Sequence, residues 1–365
     1  MRFIVLISTL FFISCTEVTG TSPLEIDSVV SKFMKENRYI GLSIVAKKNE
    51  SMVFEKSYGY ANIRTKAPFT LADKIALGSN VKTLTAASIL LLEERNSLKL
   101  TDKLSKHLPF KLNQADSITI RDMLCHVSDI PEVFGGAIYE DYRWQKANSQ
   151  KELIEKLNKN KKNITPSVEY RYNNTAYLLL GIVVEHISNQ PLGDFYRENI
   201  FSPLKLRNAY YLGDSFYSPK LTNAYEVNGE IVKEYEDPVE YRIVGGAGAL
   251  GGDINSYIKL FSGILTSNII SEKSKEKMKT PCVFTDGTFV FNGKKQKIGL
   301  GIEISNIDKQ IVYSRGGAMN GHVSAVYHFD KTGLTMATVG NTFMRLAPIL
   351  DSIIKHKLHH QFNEI

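Results

Sequence analysis

The strand-forming residues of this chain gather near its two ends, and that separation limits the folds open to it. Residues 40–63, IGLSIVAKKNESMVFEKSYGYANI, are two β-rich runs around a polar KKNES turn, which predicts a hairpin. Strand-like runs return late, as TFVFNGKKQKIGLGIEIS (288–305, split by turns), KQIVYSRGG (309–317), VSAVYHFD (323–330) and LTMATVGN (334–341). The middle, from about residue 100 to 240, reads as helical pieces and irregular loops. It includes the amphipathic SQKELIEKLNKN, the apolar NTAYLLLGIVVEHISN with Asn174 as its cap, and PLGDFYRENIFSPL. Two further helices are predicted at PLEIDSVVSKFMKEN, with Ser22 as a cap, and at RLAPILDSIIKHKLHH. Neighbouring strands joined by short turns pair antiparallel. Helices segregated from such a sheet make an α+β class, here an antiparallel sheet flanked by helices with a mainly helical lobe.

The 365 residues are 43% hydrophobic and 23% charged, enough for a sizeable core in one large or two fused domains, and no Pro/Gly/Ser-rich linker or repeat divides them. The net charge of +7 comes from scattered lysines, which argues against a nucleic-acid partner and allows a weak attraction to an anionic envelope surface. The chain starts MRFIVLISTLFFISC. Arg2 followed by an apolar run from Phe3 to Ile13 is too short for a bilayer, which takes about 20 residues, and fits a signal peptide. Ser14 before Cys15 resembles a bacterial lipoprotein cleavage box, although Phe12 stands where such boxes usually have Leu. The expectation is an exported envelope protein. Residues 1–15 are its signal peptide, Cys15 is lipidated and holds the chain at the membrane, and residues 16–23 are a tether. A plain secretory signal with an incidental cysteine is the alternative. Export permits a disulfide between Cys125 and Cys282, but no spacing demands it, and two free, partly buried thiols are expected. No CxxC, HExxH or metal-ligand cluster is present, and the HKLHH tail reads as a polar helix end.

Three short stretches carry residues suited to chemistry. The first is IALGSNVKTLTAASILLLEER (75–95), where Ser79 lies three residues before Lys82 at the start of a helix that is apolar nearly all round. A serine hydroxyl needs a base to act as a nucleophile. Positions three apart share a helix face, a buried lysine loses its charge more readily, and a helix N-terminus favours negative charge on the hydroxyl. The pattern is cheap: Ser274 and Lys277 repeat it in a charged surface segment. The second is EYRYNNTAY (169–177), where Tyr172 can shuttle a proton and Asn174 can hold a substrate carbonyl, or merely cap the following helix. The third is VYSRGGAMNGHVSAVYHF (312–329). There Gly316 and Gly317 after Arg315 let a substrate backbone lie along a strand, and the N–H groups of Ala318 and Ser79 can form an oxyanion hole.

In this order the stretches resemble the SxxK, YxN and KTG-or-HxG motifs of the serine β-lactamase and penicillin-binding-protein superfamily, with class C β-lactamases and their esterase and peptidase relatives nearest. The resemblance runs from about residue 25 to 355. It takes in NSLKLTDKLSKHLP, ITIRDMLCHVSDIPE and GGAGALGGDINSYIKLFSGIL as well as the motifs. It implies a β-lactamase/transpeptidase-like fold over residues 24–360 and a serine hydrolase working through an acyl-enzyme, with no metal or organic cofactor. Ser79 would be the nucleophile, Lys82 its base or hydrogen-bond partner, and Tyr172 the shared proton shuttle. Asn174 would bind the substrate amide, and Arg315 and Gly317 would flank the substrate. The substrate would be a small molecule, a peptide or a peptidoglycan fragment. Two positions depart from the pattern. Arg315 replaces a Lys or His, which keeps a carboxylate-anchoring role and removes a proton-relay role. Asp129 in CHVSDIP replaces a Gly, which bears on the loop conformation.

Other features have plainer readings. Lys331-Thr332-Gly333 spells KTG within a turn between late strands. Gly246 to Gly251 matches GxGxxG after a strand-like YRIV, which opens a dinucleotide-binding alternative. No second parallel strand follows, because SNIISEKSKEKMKTP is polar, and Asp253 reads as a helix cap. His126 and His322 occupy no motif position and read as structural, with His322 a candidate to line the cleft. A non-catalytic protein binding peptidoglycan or a partner on the same fold is the remaining alternative.

Overall fold

A computed structural model describes residues 23–356 and 359, apart from 114, 133–148, 160–163, 215–218, 236–239, 294–295 and 345. The predicted signal peptide, residues 16–22 of the tether, Cys15 and the Ser22 cap lie outside the described residues. In chain order, helix α1 (Pro23–Asn37) precedes the hairpin β1 (Gly41–Lys48) and β2 (Ser51–Asn62), then the two-residue strands β3 (Ala67–Pro68) and β4 (Ile75–Ala76). Helices α2 (Val81–Glu94), α3 (Ile120–Leu124), α4 (Gln150–Lys159), α5 (Asn174–Ser188) and α6 (Leu192–Tyr196) follow. Next come β5 (Ala209–Tyr211), β6 (Tyr225–Asn228), β7 (Ile231–Glu234), α7 (Tyr241–Val244), β8 (Leu250–Gly252), α8 (Ile254–Thr266) and α9 (Glu272–Lys279). The chain closes with β9 (Lys297–Ile298), β10 (Glu303–Ile307), β11 (Gln310–Met319), β12 (His322–Phe329), β13 (Leu334–Gly340) and α10 (Ala347–Lys355).

The two ends of the chain build one sheet. Its order among the described residues is β3-β2-β1-β13-β12-β11-β10-β9, with every neighbouring pair antiparallel. β12 and β13 are buried along their whole length because both faces are covered. On one face α1 and α10 bring Ile26, Val30, Ile349 and Ile353 against Ile44, Val312, Phe329 and Met336. On the other, α8 and the helical lobe share a larger core that includes Val45, Tyr257, Val326 and Val339. Within that lobe α2 is buried from Val81 to Leu92, as an all-apolar helix must be. Among the described residues no helix is long and apolar enough to cross a membrane.

The structure corrects three expectations. Cys125 and Cys282 form a disulfide across 157 residues instead of two free thiols. Folding brings the end of α3 against a segment bonded to the sheet edge, a proximity that sequence spacing does not encode. YRIV forms helix α7 and not a strand. The glycine-rich stretch after it runs through a 3-10 turn (Gly245–Ala247) into β8, whose partners β4 and β5 are both antiparallel, so the parallel layout of a dinucleotide fold is missing there. Asn173, not Asn174, caps α5: its side chain accepts the Ala176 N–H at 2.6 Å. Asp253 does cap α8, accepting from Ser256 N–H at 2.7 Å.

Candidate active site

Ser79 sits in a 3-10 turn, Gly78–Asn80, that leads directly into α2. The turn is pressed against β11, and its glycines explain how. Gly78 has a left-handed φ of 55°, and a Cβ there would meet the Ala318 carbonyl oxygen at 2.6 Å. A Cβ on Gly317 would come within 2.0 Å of the Leu77 carbonyl oxygen. Both contacts exclude a side chain and bring the Ala318 main chain beside Ser79. Beneath the turn Asn80 is buried and tied in three directions. Its Nδ2 donates to Ser324 Oγ (2.7 Å) and Leu77 O (2.8 Å), and its Oδ1 accepts from the Tyr257 hydroxyl (2.7 Å). The serine is thereby fixed to β12 and α8 through its neighbour.

Four of the residues singled out in the sequence converge on Ser79. Lys82, fully buried one helical turn on, places Nζ 3.2 Å from Ser79 Oγ, 2.8 Å from Asn174 Oδ1 and 2.6 Å from Ala247 O. The Tyr172 hydroxyl donates to Ser79 Oγ at 2.7 Å. Arg315 donates from Nε to Ser79 O and from a terminal nitrogen to the Tyr172 hydroxyl, both at 3.3 Å, with its guanidinium 5.5 Å from the Tyr172 ring centre. Asn174, the first residue of α5, thus faces Lys82. The other singled-out residues have structural surroundings. Lys277 is ion-paired to Glu93 at 2.8 Å, Lys331 lies in the turn between β12 and β13, and the ring of His322 donates to Thr222 O at 2.9 Å.

The electrostatics follow from burial. Desolvation, reinforced by the positive charge of Arg315, holds the Lys82 amine well below the ordinary lysine range, and Glu132 opposes the shift. Desolvation raises the Tyr172 phenol, while Arg315 and the Ser79 hydrogen bond pull it back. Burial therefore favours the neutral amine of Lys82 and the protonated phenol of Tyr172.

Several groups here carried no signal in the sequence. Ala247 contributes only a carbonyl oxygen, which any residue type supplies. His126, read as structural, packs its ring 4.7 Å from Tyr172 and 5.0 Å from Tyr177, and its Nδ1 accepts the Asn173 N–H at 3.0 Å. Burial keeps it neutral by lowering its pKa well below the usual histidine value. Glu132, inside a stretch legible only as part of a family likeness, accepts the Asn174 N–H at 2.5 Å. Asp129 holds a left-handed φ of 47°, the conformation a glycine would adopt most easily, and accepts from Arg171 at 2.9 Å.

An antiparallel sheet packed against a helical lobe, with a serine–lysine pair between them, defines the β-lactamase/transpeptidase-like fold of the serine hydrolases. The chain belongs to the Beta-lactamase family, whose model matches residues 26–351. It is 28% identical over 216 residues to Protein flp of Staphylococcus aureus (strain MW2), across 58% of this chain and 43% of that protein, so it spans less than half the length of that relative. In three dimensions it is similar to the octameric penicillin-binding protein homologue from Pyrococcus abyssi. The TM-score is 0.80 at 22% identity, covering 93% of this chain and 78% of the other. It is also similar to the D-amino acid amidase from Ochrobactrum anthropi SV3, with a TM-score of 0.75 at 19% identity, covering 92% of this chain and 99% of the other. At such identities the two structures share its fold.

Proposed function

We propose that this chain is an exported serine hydrolase that opens an amide, peptide or ester carbonyl through an acyl-enzyme on Ser79. One observation carries the reading: Ser79 Oγ lies between the Lys82 amine at 3.2 Å and the Tyr172 hydroxyl at 2.7 Å. A neutral Lys82 has two hydrogens, and Asn174 Oδ1 and Ala247 O accept them. The lone pair is left for the Ser79 proton. Ser79 Oγ attacks the carbonyl carbon as its proton passes to Lys82. The N–H groups of Ser79 and Ala318 receive the oxyanion. The bond to the leaving group breaks, and Tyr172 supplies the leaving group with a proton that Lys82 returns through the site. Water then attacks the ester, the proton transfers run in reverse, and Ser79 is released.

The Cys125–Cys282 disulfide supports an oxidising compartment and therefore export, and lipidation at Cys15 would hold the enzyme at the envelope membrane. The motifs suit a general hydrolase of the family first, a D,D-peptidase or esterase next, and an efficient β-lactamase third. Likeness to a D-amino acid amidase supports amides among the substrates. The test is covalent labelling with a fluorophosphonate and with a fluorescent penicillin, read by mass spectrometry, with Ser79→Ala as control. A single adduct on Ser79, absent from the variant, is expected. No adduct with either probe in folded protein overturns the proposal in favour of a non-catalytic binding protein. Turnover of a chromogenic ester, a D-Ala-D-Ala peptide and a cephalosporin then ranks the substrates.

A further inference from the structure

The mechanism above takes Tyr172 and Asn174 from one short stretch of chain and requires both to stay in register with Lys82 on another helix. The loop 126–132 grips that stretch nearly residue by residue. His126 O accepts the Arg171 N–H (3.0 Å), Asp129 pairs with the Arg171 guanidinium (2.9 Å), and Ile130 O accepts from Asn173 Nδ2 (2.6 Å). Glu132 ends the row with both carboxylate oxygens engaged. Oε2 accepts the Asn174 N–H at 2.5 Å, and Oε1 accepts from the Thr175 hydroxyl at 3.1 Å. The first amides of a helix have no partner within it, and Asn173 satisfies only the one at Ala176. The bond at Asn174 therefore comes from Glu132, across the loop.

We propose that Glu132 is a positioning residue of this active site: its carboxylate locks the first turn of α5 so that Asn174 Oδ1 faces Lys82 Nζ, and it lends a negative charge to the surroundings of Lys82. The second carboxylate of the site, Glu303 on β10, acts on Arg315 and Tyr172. The inference rests on the reading of Ser79 and Lys82 as the reacting pair. A helix cap placed for stability alone would have no reason to be coupled to a base. Here the residue held by the carboxylate is itself bonded to the Lys82 amine. The charged and titratable groups facing that amine are Arg315 from β11, Glu132 from the loop, and Tyr172 and Tyr177, whose ring centres lie 4.9 and 5.6 Å away, together with neutral His126. Burial and Arg315 push the lysine toward its neutral form, and Glu132 pulls it back. Loss of the negative charge leaves more neutral amine at low pH.

The experiment compares E132Q and E132A with the wild type in the full chain. One arm follows the rate of fluorophosphonate labelling of Ser79 against pH, and the other follows hydrogen exchange of the peptide spanning Asn173–Ala176. In E132Q the acidic limb of the labelling profile is expected to move down by about one pH unit. In E132A labelling is expected to slow by about tenfold to a hundredfold, because the amide facing Lys82 is displaced, and the start of α5 to exchange faster than in the wild type. A limb that stays in place in E132Q, together with wild-type labelling in E132A, overturns the proposal. If E132A does not fold, the limb in E132Q decides alone. If wild-type Ser79 takes no label, the proposed function fails separately and the exchange arm decides: an α5 start as protected in E132Q and E132A as in the wild type overturns the positioning role.

Discussion

Arg315 stands where the resembling family carries Lys or His, and its surroundings narrow what it does. Its side chain is buried, and two of its donors serve the Ser79 carbonyl and the Tyr172 hydroxyl. A carboxylate anchor, the role expected from residue type, would have only the remaining donors to use. The more direct consequence is electrostatic, because the guanidinium lowers the proton affinity of both Lys82 and Tyr172. Replacing it with Gln removes a positive charge, so Lys82 regains protons and the acidic limb of the pH–rate profile should move up, by about one unit. That shift is opposite in sign to the one expected for Glu132→Gln, and kcat/KM measured from pH 5 to 9 on a neutral and an acidic ester checks it. An unmoved limb on both esters rejects the charge coupling. A KM increase confined to the acidic ester assigns Arg315 to carboxylate binding instead.

Helix α5 shows at the level of elements why parts of the structure were legible and parts were not. Its body was readable because an apolar run of that length is a helix seeking burial, and the same logic located α2, whereas α8 was legible through the family likeness and its Asp253 cap. Its first residue was misread by one position, since two adjacent asparagines both make good caps and only the fold decides which faces the helix. Asn173 is the one, with its amide also donating to Ile130 O. Asn173→Ala should cost about 1–2 kcal/mol of stability in urea unfolding. Asn173→Asp should recover much of it, because the cap acceptor survives while the link to Ile130 is lost. Equal losses for the two variants would mean that the link, and not the cap, holds the helix start. Strands β4, β5 and β8 span only two or three residues each and offer no periodicity to read. The motif side chains of the site were legible because their chemistry restricts residue type. Ala247 O and the Glu132 contact were not, because one is main chain and the other joins segments 42 residues apart.

Two features bear on the molecule as a whole, and the first is a set of histidines buried away from water. Burial lowers His322 and His328 to about 4, and His126 also lies well below its usual value. An unfolded chain binds protons at these positions near pH 6.5 while the native chain refuses them. Their contribution to stability is therefore complete above about pH 6.5 and is lost as the pH falls toward 4, on the order of 3 kcal/mol for each histidine lowered to about 4. Thermal unfolding should show Tm falling over that window, and His328→Gln, which keeps an acceptor for Thr335, should flatten the fall. A wild-type Tm constant from pH 7 to 4.5 would contradict it. The second feature is the disulfide. Cys125 ends α3 in the helical lobe, while Cys282 exchanges main-chain hydrogen bonds with Ile298 and Val290 at the sheet edge, so the bond ties the lobe to the sheet beside His126. Closing a loop of 157 residues restricts the unfolded chain strongly, and Cys125→Ala with Cys282→Ala should lower stability by about 2–4 kcal/mol in urea. Reductant should bring the wild type down to the level of the double variant and leave the variant unchanged. Because His126 follows Cys125 directly and packs on Tyr172, the same treatment should also slow labelling of Ser79. A wild-type midpoint indifferent to reductant would show that the two lobes hold together without the bond.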